Sequence, residues 1–517
     1  MSNEPMPEKV LLGPEPLTAA QVVDVVRGHA PVGLTDAAEK NLAATRQHIE
    51  DLAHAVTPTY GVSTGFGALA TRHIPVESRT ALQRSLIRSH AAGAGPAVET
   101  EVVRGLMLLR LRTLASGYTG VRPGTAQTLA ALLNVDITPI VHEYGSLGCS
   151  GDLAPLAAVA LALMGEGEVE YRGEVISAGE ALKHAGIEPV VLVEKEGLAL
   201  TNGTDGMLGM LLLAAADLHR LFDIADLTAA MSVEALLGTD RAFAADLQAL
   251  RPHPGQATSA ARMWHALQGS KIVESHRGPD CNRVQDAYSL RCAPQVHGAA
   301  RDSLAHAELV GDRELASAVD NPVVLADGRV ESNGNFHGAP VAYVLDFLAI
   351  PVADVASMSE RRTDRMLDAA RSHGLPAFLA DDPGVDSGYM IAQYTQAAVV
   401  SELKRLANPA SVDSIPSSAM QEDHVSMGWS GARKLRRAVD GLTRVVAIEI
   451  MTAARALNLR APLRPGPATA AVVTALRTGV SPPGPDRHLA PEIAAAVEMV
   501  RDGSLVAAAE SVVGSLS

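Results

Sequence analysis

Residues 206–237 read GMLGMLLLAAADLHRLFDIADLTAAMSVEALL, and this stretch decides the fold. Alanine and leucine lose little freedom on entering a helix, so a run this rich in both predicts one long helix. Further long helical patterns cover roughly 295–319, 339–370, 387–407 and 429–458, separated by turn-rich segments such as Asn-Gly-Asn-Phe-His-Gly at 333–338. Long apolar stripes of this kind suit a helical bundle. Hydrophobic residues make up 47% of the 517 and aromatics only 3%, which supplies a substantial core and favours helix over strand. The expected architecture is mainly α: an irregular N-terminal region, residues 1–205, then a long-helix bundle and C-terminal helical region, residues 206–517.

Towards the N-terminus the elements shorten. A strand is expected at Lys9–Leu12, then a Gly-Pro-Glu-Pro turn, then a helix opened by a Thr18–Gln21 capping box ahead of Val22, Val23 and Val26. A second helix runs from about Asp36 to Ala55. Residues 59–67, TYGVSTGFG, carry three glycines that break any regular element and leave a loop able to move or to approach a ligand closely. Helical patterns return near Ser78 and from Glu99 to Ala115, and residues 136–155 are the least regular of the first half. A hairpin is expected at Glu168–Ile176, turning at Arg172-Gly173. The tail from Arg460 to Pro491, rich in proline and glycine, reads as loops around one short helix.

The formal charge is 43 − 58 = −15, with no dense block of Lys or Arg, which disfavours nucleic acid and anionic membranes as partners. Three cysteines, Cys149, Cys281 and Cys292, make no disulfide framework and point to a reducing compartment. The N-terminus lacks the basic and apolar regions of a signal peptide, and apolar runs such as Leu153–Met164 are too short to span a bilayer, so a cytoplasmic protein is expected. No metal is expected: His142-Glu143 lacks the second histidine of a zinc-protease helix, and Cys281, Cys292 and His297 lack zinc-site spacing. Phosphate-loop and dinucleotide fingerprints are also missing.

Residues 148–152 read Gly-Cys-Ser-Gly-Asp. A nucleophile elbow needs glycine two residues to either side of the serine; Gly148 fits and Asp152 does not. A catalytic Cys149 has no evident histidine partner in the sequence. A third chemistry suits the residue types better. If the nitrogen of Gly151 attacks the carbonyl of Cys149, a five-membered ring closes. Loss of water there, and again from the Ser150 side chain, leaves an exocyclic methylene conjugated to an imidazolone. Glycine offers an unhindered nitrogen and tolerates unusual backbone geometry, and serine supplies the hydroxyl that leaves. The first residue need only be small.

The longer run GSLGCSGDLAPLA, residues 145–157, resembles the signature of the aromatic amino acid lyase family, whose members form a 4-methylidene-imidazol-5-one group from such a triad. The usual triad is Ala-Ser-Gly; here Cys149 takes the first place. The resemblance extends from about Tyr60 to His424 and implies the long-helix architecture shared with fumarases and aspartases. It assigns Tyr60 in YGVSTGFG as the base toward the substrate β-proton, which requires a phenol pKa lowered from about 10. Asn202 in LTNGTDG, with Asp152, falls beside the prosthetic group. Gln285, Tyr288 and Arg291 in RVQDAYSLRC match a substrate and catalytic cluster, with Arg291 on the substrate carboxylate. Gln285 and Tyr288 share a face if that stretch is helical, and Pro294 is expected to end the helix. Phe336 in NGNFHG matches a pocket-lining residue.

Two positions resemble the histidine-specific branch of the family. Ser89-His90 in SLIRSHAAG stands where the other branches tend to carry Phe-Leu or His-Leu, and Glu422 in AMQEDHVSMG where they usually carry an amide. A carboxylate facing an imidazole can accept its N–H or pair with imidazolium. His90 follows Leu86 by four residues and Leu82 by eight, on one helical face. The resemblance therefore implies L-histidine as substrate, trans-urocanate and ammonia as products, and a homotetramer in which several subunits complete each site. The alternatives are an aminomutase using the same group, a lyase for tyrosine or phenylalanine, and an inactive helical scaffold.

Overall fold

Each long apolar pattern is a helix: Asp205–Ala235, Ala293–Leu315, Ala339–Leu367, Met390–Leu406 and Gly428–Leu459. The computed structural model describes residues 7–55, 59, 61–65, 72–148, 150–278, 281 and 284–516. Within them strands are short and pair two or three at a time, so the fold is mainly α, as the alanine- and leucine-rich composition predicts. The chain forms two compact units. The first comprises Met1–Leu213, Glu308–Leu345 and Ala410–Arg433, the second Ala214–Ala307, Asp346–Pro409 and Lys434–Ser517.

In the first unit, Val10–Leu12 pairs in parallel with Val32–Leu34, and Thr18 and Gln21 form the reciprocal capping box at the head of Ala19–Val26. The hairpin Glu168–Tyr171/Glu174–Ser177 turns at Arg172-Gly173. The organising element is the helix Thr100–Ala115, in which every residue from Val102 to Ala115 is buried, three arginines included. A guanidinium in such a place must use its donors or incur a desolvation penalty. Arg104 donates to the Val25 carbonyl at 2.9 Å, and Arg112 to that of Ser317. Arg110 reaches the carbonyls of Ala199 (2.9 Å), Asn202 (2.7 Å) and Val319 (3.1 Å) and pairs with Asp205 at 2.8 Å. One helix thereby staples the loops that carry the candidate site.

In the second unit, buried charges are likewise paired between helices. Arg362 holds Glu449 through Nε (2.5 Å) and Nη2 (2.9 Å), and Ser232 donates to the same carboxylate at 2.7 Å. Asp226 takes His297 at 2.8 Å and Arg301 at 2.7 Å. The tail contains the single short helix expected within 460–491, Pro467–Leu476, and then two more, Ala490–Asp502 and Ser504–Val513. Ala339–Leu367 is long and apolar enough by composition to cross a membrane, but 61% of its most apolar window is buried in the protein, as in a core helix.

Candidate active site

The irregular segment 145–152 is held by backbone contacts to distant parts of the chain. Ser426 donates its hydroxyl to the Gly148 carbonyl at 2.9 Å, and the Met427 N–H donates to the Leu147 carbonyl at 2.9 Å. On the far side of the triad, the Asp152 N–H donates to the Gly203 carbonyl at 2.7 Å. Gly151 crosses Gly203 so closely, at φ +82°, that an added Cβ would lie 2.0 Å from the Gly203 oxygen. Only glycine fits there, on both conformation and space. Cys149, expected as the first triad member, lies outside the described residues, as does Tyr60.

Asp152 is fully buried just ahead of the helix Leu153–Leu163. Its Oδ2 accepts the N–H groups of Gly206 (2.9 Å) and Met207 (3.0 Å), orphan donors at the start of Asp205–Ala235, and its Oδ1 accepts the Ser146 hydroxyl at 2.9 Å. Burial pushes this carboxyl up to about 7, with the hydrogen bonds from Met207, Ser146 and Gly206 pulling the other way and Asp205 pushing it further up.

Asn202 is 5% exposed and donates through Nδ2 to the Asn321 carbonyl at 3.0 Å. Asn321 Oδ1 in turn accepts the Asn333 N–H at 3.0 Å, and the Gly338 N–H points to the Gly148 carbonyl at 3.4 Å. The loop carrying Phe336 is thus pinned at one end to the Asn202 neighbourhood and at the other to the triad segment. Phe336 itself is half-buried.

Ser150 donates its hydroxyl to Glu422 Oε1 at 3.2 Å, while Ser417 donates to Oε2 at 2.9 Å. Glu422 also acts electrostatically on His90, the last residue of Arg79–His90. Burial lowers the His90 pKa, opposed by the Leu86 carbonyl and by Glu422. The Ser89 hydroxyl donates to the Leu86 carbonyl at 2.9 Å and lies 3.1 Å from His90 Nδ1, fixing the ring's position at the helix end. Ser150, Glu422 and His90, read from separate motifs, come together in the first unit.

Gln285, Tyr288 and Arg291 belong to the second unit. Their stretch is not one helix: Gln285 precedes the single turn Tyr288–Arg291, so it shares no helical face with Tyr288. Nor does Pro294 end a helix. The chain re-enters one at Ala293, and Pro294 occupies its first turn, where a missing N–H costs nothing. Arg291 stacks over the Tyr288 ring at 4.7 Å and donates to the Asp286 carbonyl at 3.0 Å. Tyr288 is 70% exposed.

The sequence profile of the aromatic amino acid lyases matches residues 17–478. The chain belongs to the aromatic amino acid lyase family. A relative from Streptomyces avermitilis named histidine ammonia-lyase is 66% identical over 510 residues, covering 98% of this chain and 99% of that protein. Among solved structures, histidine ammonia-lyase from Trypanosoma cruzi is 36% identical with a TM-score of 0.89, covering 97% of this chain and 95% of the other. Tyrosine aminomutase from Streptomyces globisporus is also 36% identical, with a TM-score of 0.91 and coverage of 97% and 98%. Within this lyase-family frame, several site residues escape sequence reasoning: Ser146, Ser417, Ser426, Gly203 and Arg110. Serines and a loop glycine carry no periodic signal, and Arg110 reads as one more polar residue in a helix. Ser146, Gly203 and Ser426, like Asp205, lie inside the runs GSLGCSGDLAPLA, LTNGTDG and AMQEDHVSMG, but the resemblance gives them no role; Ser417 and Arg110 lie outside any such run.

Proposed function

We propose that this chain removes ammonia from L-histidine to give trans-urocanate, using a methylidene-imidazolone that it forms from its own Cys149, Ser150 and Gly151. The observation that carries this reading is the Ser150 hydroxyl on Glu422, 3.2 Å away, beside a backbone crossing with no room for a Cβ at Gly151. Those residues fit the group: a bare glycine nitrogen for ring closure and a serine hydroxyl to be lost. Once formed, the group supplies an electrophilic carbon for the substrate amine. Similarity to histidine ammonia-lyases at 66% identity supports the same choice of substrate.

The chain's own residues account for selectivity. The Glu422 carboxylate suits an imidazole, whose N–H it can accept or whose protonated form it can pair with; a phenyl ring offers it neither. Ser417 fixes the second Glu422 oxygen and so orients the carboxylate. Tyr60 is assigned the β-proton, Asn202 and Asp152 the surroundings of the prosthetic group, Phe336 the pocket wall, and Gln285, Tyr288 and Arg291 the substrate carboxylate and catalytic cluster.

The active assembly is proposed as a cytoplasmic homotetramer with shared sites. Tyr343, Phe347 and Ile350 form an exposed apolar stripe on Ala339–Leu367, with exposures of 59%, 46% and 48%, which suits burial against another subunit. The exposed Tyr288 fits a residue offered to a neighbour's site. The test is absorbance growth in the urocanate band with purified protein and L-histidine, beside Ser150→Ala. Growth in the wild type alone is expected. Formation of β-histidine in place of urocanate would replace this reading with the aminomutase, whose fold match is as close.

A further inference from the structure

The self-made electrophile requires the backbone of residues 149–151 to bend until the Gly151 nitrogen meets the Cys149 carbonyl carbon. An extended chain does not do this, so something must hold the two ends of the triad together before the ring exists. Ser146 is buried, 6% exposed, and its hydroxyl touches both ends. On the N-terminal side Oγ accepts the Gly148 N–H at 3.2 Å. On the C-terminal side it donates to Asp152 Oδ1 at 2.9 Å, with the Gly151 carbonyl oxygen at 3.4 Å. Asp152 is itself anchored on the Gly206 and Met207 N–H groups, so the hydroxyl ties the loop to a fixed helix start.

We infer that Ser146 is the positioning residue for ring closure: its hydroxyl clamps Gly148 to Asp152 and holds the triad in the bend that the cyclisation needs. The inference rests on the self-made electrophile proposed above. The chemistry needs no outside reagent. The Gly151 nitrogen bonds to the Cys149 carbonyl carbon, and that carbonyl oxygen leaves as water with the hydrogens of the Gly151 and Ser150 N–H groups. The Ser150 hydroxyl then leaves with its Cα hydrogen as a second water. Ser146 forms and breaks no bond in either step; it lowers the entropic cost of reaching the reactive geometry. The grip acts through the flanking Gly148 N–H and the Asp152 carboxyl, which leaves the attacking atoms to the chemistry.

The experiment follows maturation by intact-mass spectrometry in freshly synthesised full-length chain, comparing wild type with Ser146→Ala, Ser146→Cys and Ser146→Thr. Thermal melts and oligomer size are recorded alongside. The expected result is a rate of two-water loss at least ten-fold lower in Ser146→Ala and Ser146→Cys, with recovery in Ser146→Thr, which restores the hydroxyl. Should Ser146→Ala not fold, Ser146→Cys keeps the volume and still removes the strong donor. Maturation of folded Ser146→Cys at the wild-type rate overturns the inference. Slow maturation in all three variants, Thr included, also overturns it, because packing and not the hydroxyl then governs the step. Absence of two-water loss in wild type itself contradicts the proposed function instead, so the two failures are distinguishable.

Discussion

Gly151 and Gly173 have nearly the same φ, +82° and +81°. Around Gly173, at the tip of the Glu168–Ser177 hairpin, an added Cβ would meet nothing within 4 Å. Around Gly151 it would meet the oxygen, carbon and nitrogen of Gly203 at 2.0, 2.3 and 2.5 Å. One glycine answers to a local turn; the other answers to a distant strand of backbone pressed against it. A left-handed conformation alone thus marks a turn, whereas crowding by fixed backbone marks a close approach of distant segments, at Gly151 the one that carries the candidate site.

The comparison breaks most easily at Gly151→Ala. The clash is with backbone, which no rotamer relieves, so two-water loss by mass and urocanate formation by absorbance are both expected to vanish. An active Gly151→Ala protein would show that the crossing is dispensable. Glu422→Gln leaves the crossing intact and removes the charge facing Ser150. Its kcat/KM for L-histidine is expected to fall about 10²- to 10³-fold, as for loss of a charged hydrogen-bond partner of the substrate, with melting temperature little changed.

Asp152→Asn sharpens the contrast through pH. The folded carboxyl is raised from 3.8 to about 7, so the fold holds this proton more tightly than the unfolded chain does. Its stabilising effect is full below the unfolded pKa and is lost as pH rises toward about 7, after which it changes no further. The loss across that window is on the order of 4 kcal/mol. Urea midpoints should therefore fall less steeply with rising pH in Asp152→Asn than in wild type; equal slopes would show that Asp152 is ionised throughout. The smallest effect belongs to Gly173→Ala, about 1 kcal/mol of stability from the left-handed backbone, with activity intact. A larger loss would mean that the hairpin tip is not free.

Most of the helical framework was legible because its signals are periodic and local. The five long helices start and stop within a few residues of their apolar patterns, and Thr18 with Gln21 announces the first helix by its side chains alone. The site was legible only as motifs. That Ser150 meets Glu422 follows from a meeting of residues 272 apart, and no pattern within either motif encodes it. The stapling by Arg110 was hidden for the same reason: an arginine in an otherwise apolar helix reads as a solvated edge until its carbonyl partners are known. Around Tyr288 the local reading held only in part: Arg291 does close a helical turn, but Pro294 lies in the first turn of the next helix, since proline signals a helix end and a helix first turn equally well.

The most direct test of the account is the mass of the tryptic segment that contains Gly145–Ala157, taken from freshly purified wild-type protein that turns over L-histidine. The expected result is a wild-type segment lighter than its translated sequence by two water molecules, and a Ser150→Ala segment, which has no side-chain hydroxyl to lose, lighter than its own translated sequence by at most one, in an inactive protein. A wild-type segment at full translated mass, in protein that still produces urocanate, would contradict the self-made electrophile at its root.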